Sequence, residues 1–134
     1  MIALCDIVKV SEDELNLLID GEQSTDDKLA LLKSMGPSLA ILTKGADGDS
    51  ALYSGGQIVD VGAPEVSVKD TIGAGDTSNA GFLSMLEVRN LLSKTEVAKI
   101  STTDLKSALE YGVKAAAILV QSAGANPPWT SELA

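Results

Sequence analysis

The first thirty-five residues carry a hydrophobic pattern that predicts one strand followed by two helices. Segment 6–10 has a β-branched apolar core of the length expected for a buried strand. Ser11 and Glu14 follow at the spacing of a capping box, with Leu15, Leu18 and Ile19 as the buried stripe of the helix. A second amphipathic segment begins at Ser24 or Thr25, and Gly36-Pro37 ends it.

The middle of the chain predicts three further strands. The continuous apolar run 39–43 is typical of a strand that is covered on both faces. Segments 50–53 and 57–61 flank Gly55-Gly56, which predicts a β-hairpin. After Pro64, a short alternating piece predicts extended chain before the next turn.

The last third of the chain predicts two helices. One begins near Asp76, after a turn that is rich in glycine. The other begins at Asp104, carries a long alanine-rich apolar run and is closed by Gly124. Strands that alternate with crossover helices predict one α/β domain over residues 1–134, with a mostly parallel sheet and one β-hairpin.

Composition excludes several functions. The chain has 134 residues, no histidine, a single cysteine and a formal net charge of -9. The absence of histidine excludes Ser-His-Asp hydrolysis, and one cysteine excludes disulfide scaffolds and cysteine-based zinc sites. The acidic balance opposes binding to nucleic acid or an anionic membrane, and no apolar run is long enough to span a bilayer. We therefore expect a cytoplasmic protein that binds neither nucleic acid nor membrane.

The segment 70–76 is the most informative for chemistry. Gly73 and Gly75 allow a tight turn that presents several amides in one direction, and the start of a helix adds the positive end of its dipole. This arrangement can receive a phosphate without basic side chains. A carboxylate at Asp76 would lie beside that phosphate, where a general base for an attacking hydroxyl is the natural role.

Two other interpretations of this segment remain open. Asp76 could merely complement the helix N-terminus, with the glycines making an ordinary turn. A dinucleotide-binding motif is disfavoured because Ser78 stands at its third glycine and no acidic ribose partner follows.

Four ordered motifs resemble the PfkB (ribokinase-like) carbohydrate kinases. Asp70 to Asp76 resembles the family signature D-T-x-G-A-G-D, and Asp6 to Glu14 resembles D-I-V-K-x-[NS]-x-x-E in its fructokinase version. Segment 42–48 is similar to the V-T-x-G-x-x-G turn, and 115–125 to the alanine-rich helix and its G-A turn. The resemblance covers the whole chain but only the C-terminal part of a typical member.

This resemblance implies the C-terminal part of a three-layer αβα sandwich and ATP-dependent phosphorylation of a sugar hydroxyl, as in fructokinase. Asp76 would be the base, and the backbone of Gly73, Ala74 and Gly75 the anion hole. ATP, Mg²⁺ and K⁺ are the cofactors that the resemblance implies. The expected partners are fructose or a related sugar, and either a second copy of the chain or an absent N-terminal half that carries most sugar contacts.

The resemblance also assigns binding residues. The nucleotide would lie against five positions: Thr43, Gly45, Gly48, Val113 and Gly124. Glu14 would help to hold Mg²⁺, through water, although the capping box explains it equally well. Asp70 and the backbone of Ile72 would border a monovalent-cation site.

Two positions depart from the family pattern. Ser78 stands where phenylalanine is usual, which predicts lost packing volume behind the catalytic helix. Lys114 follows Val113 where a small residue often faces adenine, which predicts altered nucleotide affinity. The alternatives to an active kinase are a non-catalytic module that binds nucleotide or anion, and an interaction fragment that needs the absent half.

Overall fold

The computed structural model describes residues 1–134, which form a four-stranded sheet with helices on both faces. The strands are β1 (Ile7–Ser11), β2 (Leu39–Thr43), β3 (Asp49–Leu52) and β4 (Ile58–Val61), in the spatial order β1-β2-β3-β4. β1 and β2 are parallel, whereas β3 is antiparallel to both β2 and β4. Three of the four strands therefore run in one direction, which confirms the mostly parallel sheet, and β2–β3 adds a second antiparallel pairing to the predicted β3–β4 hairpin.

Six helices surround this sheet. They are α1 (Glu12–Leu18), α2 (Thr25–Ser34), α3 (Ala74–Val88), α4 (Lys94–Ala98), α5 (Thr102–Leu119) and α6 (Thr130–Leu133). Two short 3₁₀ turns occupy Ile2–Leu4 and Gly45–Asp47. None of the helices is long and apolar enough to cross a membrane.

Alternate residues of β2 face two separate hydrophobic cores. Leu39 and Ile41 belong to the larger core, which includes Phe82 from α3 and Leu109 from α5. The other apolar residues of β2, Ala40 and Leu42, belong to a smaller core with α1 and α2. This smaller core also contains Val10, Leu15, Leu29 and Leu32. Because side chains alternate across a strand, this pattern places helices on both faces and confirms the three-layer αβα arrangement.

Backbone packs directly against backbone where α3 crosses α5. A Cβ atom built on Gly81 would lie 3.0 Å from Gly112 Cα, and one built on Gly112 would lie 2.5 Å from Ser78 O. Any side chain at position 112 would therefore force one helix to move away from the other. The two helices form the most closely packed layer of the structure, and α3 carries the predicted catalytic turn at its N-terminus.

Local sequence signals placed most helix ends correctly. The Ser11–Glu14 capping box is present at the start of α1, and Ser24 caps α2. Leu18 was predicted to be buried but is 48% exposed, because it is the last residue of α1 and no further helical turn follows to cover it. Segment 66–68 pairs with no strand, and the polar segment 89–103 contains one short helix, α4.

The predicted ends of the two long helices differ slightly from the structure. α3 begins at Ala74, two residues before the predicted start, because Gly73 in the left-handed region acts as its N-cap. α5 begins at Thr102 after a Ser101 cap that bonds the Asp104 amide, and it ends at Leu119 rather than continuing to Gly124.

Candidate active site

The N-terminus of α3 presents unpaired backbone amides. Gly73 has φ 79° and ψ 4°, which turns the chain into the helix. The Ala74 amide donates to Thr71 O at 3.1 Å, and the Thr77 amide donates to Gly73 O at 2.8 Å. The amides of Gly75 and Asp76 donate to no acceptor in the protein. Of the predicted anion hole, the Ala74 amide is thus already engaged, whereas the amides of Gly73 and Gly75 are free. The Asp76 amide, next along the chain, is also free at the positive end of the helix dipole.

The Asp70 carboxylate ties this turn to the chain that follows α5. Its Oδ1 accepts from the Ile72 amide and its Oδ2 from the Gly124 amide, each at 2.9 Å. These backbone hydrogen bonds lower the pKa of Asp70, the Ile72 amide having the largest effect. The amides of Lys69 and Asp70 also donate to Val120 O, at 2.7 and 3.3 Å. The structure therefore brings together Asp70 and Ile72, the two residues predicted to border a monovalent-cation site, and adds the Gly124 amide to them.

A cavity of about 410 Å³ opens beside the first turn of α3. Its walls come from the turn after β2, the extended segment 63–68, α3 and α5. Five of the predicted site residues line it: Thr43, Gly45, Ala74, Gly75 and Val113. Its lining is mostly apolar, with Val66, Ala116 and Val120 among the wall residues. Its volume and its mostly apolar lining are typical of small-molecule binding sites.

Gly48 and Gly124 are not among the residues that line this cavity, and their contact with the nucleotide stays a prediction. Gly48 has φ 87°, and a Cβ atom on it would lie 1.9 Å from Val61 O. It is therefore needed where two backbone segments approach closely. Gly124 has φ 79° and donates its amide to Asp70. Both glycines shape the backbone around the cavity rather than forming its surface.

Lys9 is a site residue that the sequence analysis did not identify. Its Nζ donates to Gly75 O at 3.2 Å, which places an ammonium group beside the first turn of α3. Burial lowers the pKa of Lys9, and the nearby carboxylates of Asp49, Asp76 and Glu14 oppose that effect. The available signal was a lysine within an apolar strand, on the same side as Ile7, which packs against the larger core.

Asp49 and Ser78 are also new members of the site. Both are buried and both line the cavity, and Ser78 Oγ donates to Asp49 Oδ2 at 3.4 Å. Burial raises the pKa of Asp49, while Lys9, Ser78 and Lys44 oppose that shift. The expectation that Ser78 leaves only lost packing volume is therefore incomplete, because its hydroxyl has a polar partner.

Two other predicted positions, Glu14 and Lys114, have partners in the structure, and so does Lys44 in the turn after β2. Glu14 Oε2 accepts from the Ser11 amide at 2.8 Å, and this cap lowers the pKa of Glu14. Lys114 does not line the cavity, and its Nζ donates to Leu133 O at 2.7 Å. No contact between its side chain and the cavity supports the predicted effect on nucleotide affinity. Lys44 donates to Asp60 at 3.2 Å. No cluster of three carboxylate or cysteine side chains is placed to hold a metal ion directly.

Comparison with known proteins identifies the family. Residues 1–132 match the pfkB family carbohydrate kinase pattern, and the chain belongs to this family. It is 41% identical over 108 residues to a fructokinase from Rhizobium leguminosarum bv. trifolii, a match that covers 80% of this chain and 32% of the relative. The chain thus spans about a third of the length of that relative.

Solved structures agree with this assignment. An aminoimidazole riboside kinase from Salmonella enterica, in complex with aminoimidazole riboside and an ATP analogue, superposes with a TM-score of 0.79 at 31% identity. That match covers 98% of this chain and 42% of the kinase. A fructokinase from Vibrio cholerae O395, bound to fructose, ADP and a calcium ion, gives a TM-score of 0.72 at 28% identity, over 90% of this chain and 36% of that one. The ribokinase-like fold is thereby confirmed.

The Asp70 clamp predicts a defined pH dependence of stability. Because the folded-state pKa of Asp70 lies below its unfolded value, its contribution is present at neutral pH and is lost as the pH falls below about 4. Asp70→Asn keeps one oxygen acceptor and should lower the urea midpoint at pH 7. Urea unfolding at a series of pH values should show this difference shrinking as the pH falls. A difference that stays constant down to pH 2.5 would contradict the role of the charge.

Proposed function

We propose that this chain provides the nucleotide site and the general base of an ATP-dependent sugar kinase of the fructokinase type. The observation that carries the proposal is the first turn of α3. There Gly75 lines a cavity of about 410 Å³, the amides of Gly75 and Asp76 are free, and the Lys9 ammonium, which feels the nearby Asp76 carboxylate, donates to Gly75 O. Membership of the carbohydrate kinase family and the ligands named for the relatives support the same reaction class.

In the proposed reaction, Asp76 accepts the proton of a sugar hydroxyl as its oxygen attacks the γ-phosphorus of ATP. The bond between the γ-phosphorus and the bridging oxygen breaks, and ADP leaves with the electron pair. The amides of Gly75 and Asp76, together with the helix dipole, stabilise charge on the phosphoryl oxygens in the transition state. Lys9 adds the cation that the backbone turn itself lacks.

The cavity would bind the nucleotide in two parts. Val113, Ala116 and Val66 supply apolar surface that suits the adenine ring, and Thr43 with Gly45 would lie along the ribose and phosphates. Gly45 is exposed and has no side chain, so the ligand can approach the backbone closely there. In this proposal Gly48 and Gly124 act by shaping the walls.

The residues present fit the two proposed cations in different ways. Mg²⁺ commonly keeps several waters and takes few protein ligands besides substrate phosphates, so a single Glu14 acting through water is sufficient. When bound, Mg²⁺ would neutralise phosphate charge. For K⁺, the Ile72 carbonyl accepts no backbone hydrogen bond and lies beside Asp70, which gives two oxygen-bearing groups at one turn.

A second candidate function is a module that binds nucleotide without turnover. The specific observation in its favour is that the cavity and the free amides of α3 both lie within this chain, which spans 42% of the aminoimidazole riboside kinase that it resembles. Such a module would keep the cavity and the free amides but would lack surfaces that seat a sugar. The two candidates differ in turnover and not in nucleotide affinity.

Filling the cavity should remove nucleotide binding. Ala116→Leu places three more carbon atoms in the wall, so the Kd for Mg-ATP should rise about ten-fold or more because the ring can no longer enter. Lys114→Ala is the matched control on the same helix, since its side chain faces Leu133 instead. Isothermal titration calorimetry would measure both affinities. Equal losses in the two variants, or none in Ala116→Leu, would place the nucleotide elsewhere.

Asp76→Asn should abolish turnover while largely sparing affinity for ATP. Removal of a general base typically costs about 10²- to 10⁴-fold in kcat. ADP release would be measured with Mg-ATP, K⁺ and a panel of fructose, ribose, adenosine and 2-keto-3-deoxygluconate. Asp26→Asn, which also changes a carboxylate in the first turn of a helix, is the control and should leave turnover unchanged.

The outcomes of that assay separate the two candidate functions. One sugar that is phosphorylated by the parent chain and not by Asp76→Asn supports the kinase and names its substrate. ATP binding without turnover on any sugar supports the non-catalytic module. Absence of both would overturn both candidates for this chain.

We also propose that the chain associates through the open side of β1, with a second copy when it is alone and with an N-terminal half in a longer protein. β1 pairs only with β2, so one edge of the sheet carries unpaired backbone groups. Leu4 and Leu17 are 86% and 82% exposed. An unpaired edge and exposed leucines both favour self-association.

Sedimentation velocity at increasing concentration should show a rising sedimentation coefficient. Association would bury the open edge and the exposed leucines, and it should strengthen with salt because the copies repel each other through a net charge of -9. A monomer at all concentrations and salt levels would contradict the proposal.

A further inference from the structure

Three polar side chains meet beneath the first turns of α3, on the side that faces the sheet. Lys9 comes from β1 and donates to Gly75 O at 3.2 Å. Asp49 is the first residue of β3 and accepts from Ser78 Oγ at 3.4 Å. Because Gly75 and Ser78 are three residues apart, they share one face of the helix. The ammonium and the carboxylate therefore contact neighbouring points of the same helical face.

Neither group forms a direct ion pair with any residue. Asp49 is 6% exposed, and its carboxylate accepts a single hydrogen bond, the one from Ser78. Lys9 is partly buried and takes part in none of the direct ion pairs of the structure, although Lys44, the other lysine near this end of the sheet, is paired with Asp60. A charge that is withdrawn from water without a direct partner is costly, so each group depends on the field of nearby opposite charges, and each of these two is the largest such charge for the other.

We propose that Asp49, oriented by Ser78, is a positioning residue that holds the Lys9 ammonium in its charged form at the start of α3, beside Asp76. The inference rests on the proposed function, in which this ammonium faces the phosphates of the nucleotide. Asp49 acts through Lys9 and needs no contact with the ligand.

The charges around the pair agree with this role. Lys9 faces Asp76 on α3, Glu14 on α1 and Asp49 on β3, and Asp49 is the strongest of the three in opposing the effect of burial on its pKa. Conversely, Lys9 is the strongest influence that opposes the raised pKa of Asp49, ahead of Ser78 and Lys44. The two groups thus stabilise the charged form of each other.

Ser78 links this arrangement to a departure from the family pattern. A phenylalanine at this position, as the resemblance leads one to expect, has no group that donates to a carboxylate. The serine hydroxyl donates to Asp49 and so favours its ionised form. Asp49 and Ser78 consequently act as one unit in this chain, and a change in either should be felt at Lys9.

The test measures the protonation of Lys9 directly. The chain is pulse-labelled with acetic anhydride over a series of pH values, and modification of Lys9 is followed by mass spectrometry. In Asp49→Asn the midpoint for Lys9 should move to lower pH by about one unit, because the opposing carboxylate is gone. In Ser78→Ala the midpoint should move in the same direction by a smaller amount.

Asp60→Asn is the matched control. Asp60 also accepts from a serine and a lysine, Ser50 and Lys44, but it lies on the opposite face of the sheet. This variant should leave the labelling midpoint of Lys9 unchanged. Far-UV circular dichroism and urea unfolding of every variant would establish that the fold is retained.

The result that overturns the inference is an unchanged Lys9 midpoint in folded Asp49→Asn. A merely structural anchor would lower the urea midpoint without moving the Lys9 midpoint. If the chain phosphorylates a sugar, Asp49→Asn should also raise the KM for ATP more than it lowers kcat and should shift the alkaline limb of the pH profile downward. The labelling result stands even if no sugar is phosphorylated, so failure of this inference is distinguishable from failure of the proposed function.

Discussion

The close packing of α3 on α5 is the constraint on which the rest of the structure depends. Gly81 and Gly112 allow the two backbones to approach to a distance that any side chain would prevent. This contact fixes the height of α3 above the sheet, and thereby the distance from its first turn to Lys9 and Asp49. The cavity lies beyond this crossing, where small side chains of α5 such as Ala116 and Ala117 line it.

Charge in this protein is organised locally rather than globally. A net charge of -9 would repel an anionic ligand at long range, yet the first turn of α3 offers unpaired amides and a single ammonium group. At short range, donors that are already oriented lose little entropy on binding and are not screened as exposed charges are. An acidic surface can therefore coexist with a site for phosphates, provided that the site is built mainly from backbone.

Features that depend on neighbours in sequence were predictable, whereas features that depend on distant contacts were not. The Ser11–Glu14 cap, the doubly covered β2 and the turn before α3 all follow from the chemistry of adjacent residues. The hydrogen bond between Lys9 and Gly75 joins residues 66 positions apart, and no pattern of neighbouring residues predicts that the two meet. The direction of Lys114 is set by α6, a four-residue helix with no pattern strong enough to predict.

The same contrast applies to the candidate site. A motif identifies Gly73, Gly75 and Asp76 as a group, but it cannot tell which amides remain free once the turn has formed. That depends on the Thr71 carbonyl, which takes the Ala74 amide. Likewise, the sequence alone predicts only that Ser78 removes the volume of an aromatic side chain. The hydrogen bond from Ser78 to Asp49 depends on the fold, which brings these two residues together.

The double coverage of β2 has a consequence for how its alignment in the sheet is chosen. A strand with one polar face resists a slip by one residue, because the slip would expose its apolar side chains to water. β2 is apolar on both faces, so that penalty is weak here. Its register must instead be set at its ends, where the amides of Ser38 and Leu39 bond Asp6 O and the Lys44 amide bonds Gly48 O. The loops that border the strand, rather than its hydrophobic side chains, thus select one alignment among several of similar burial.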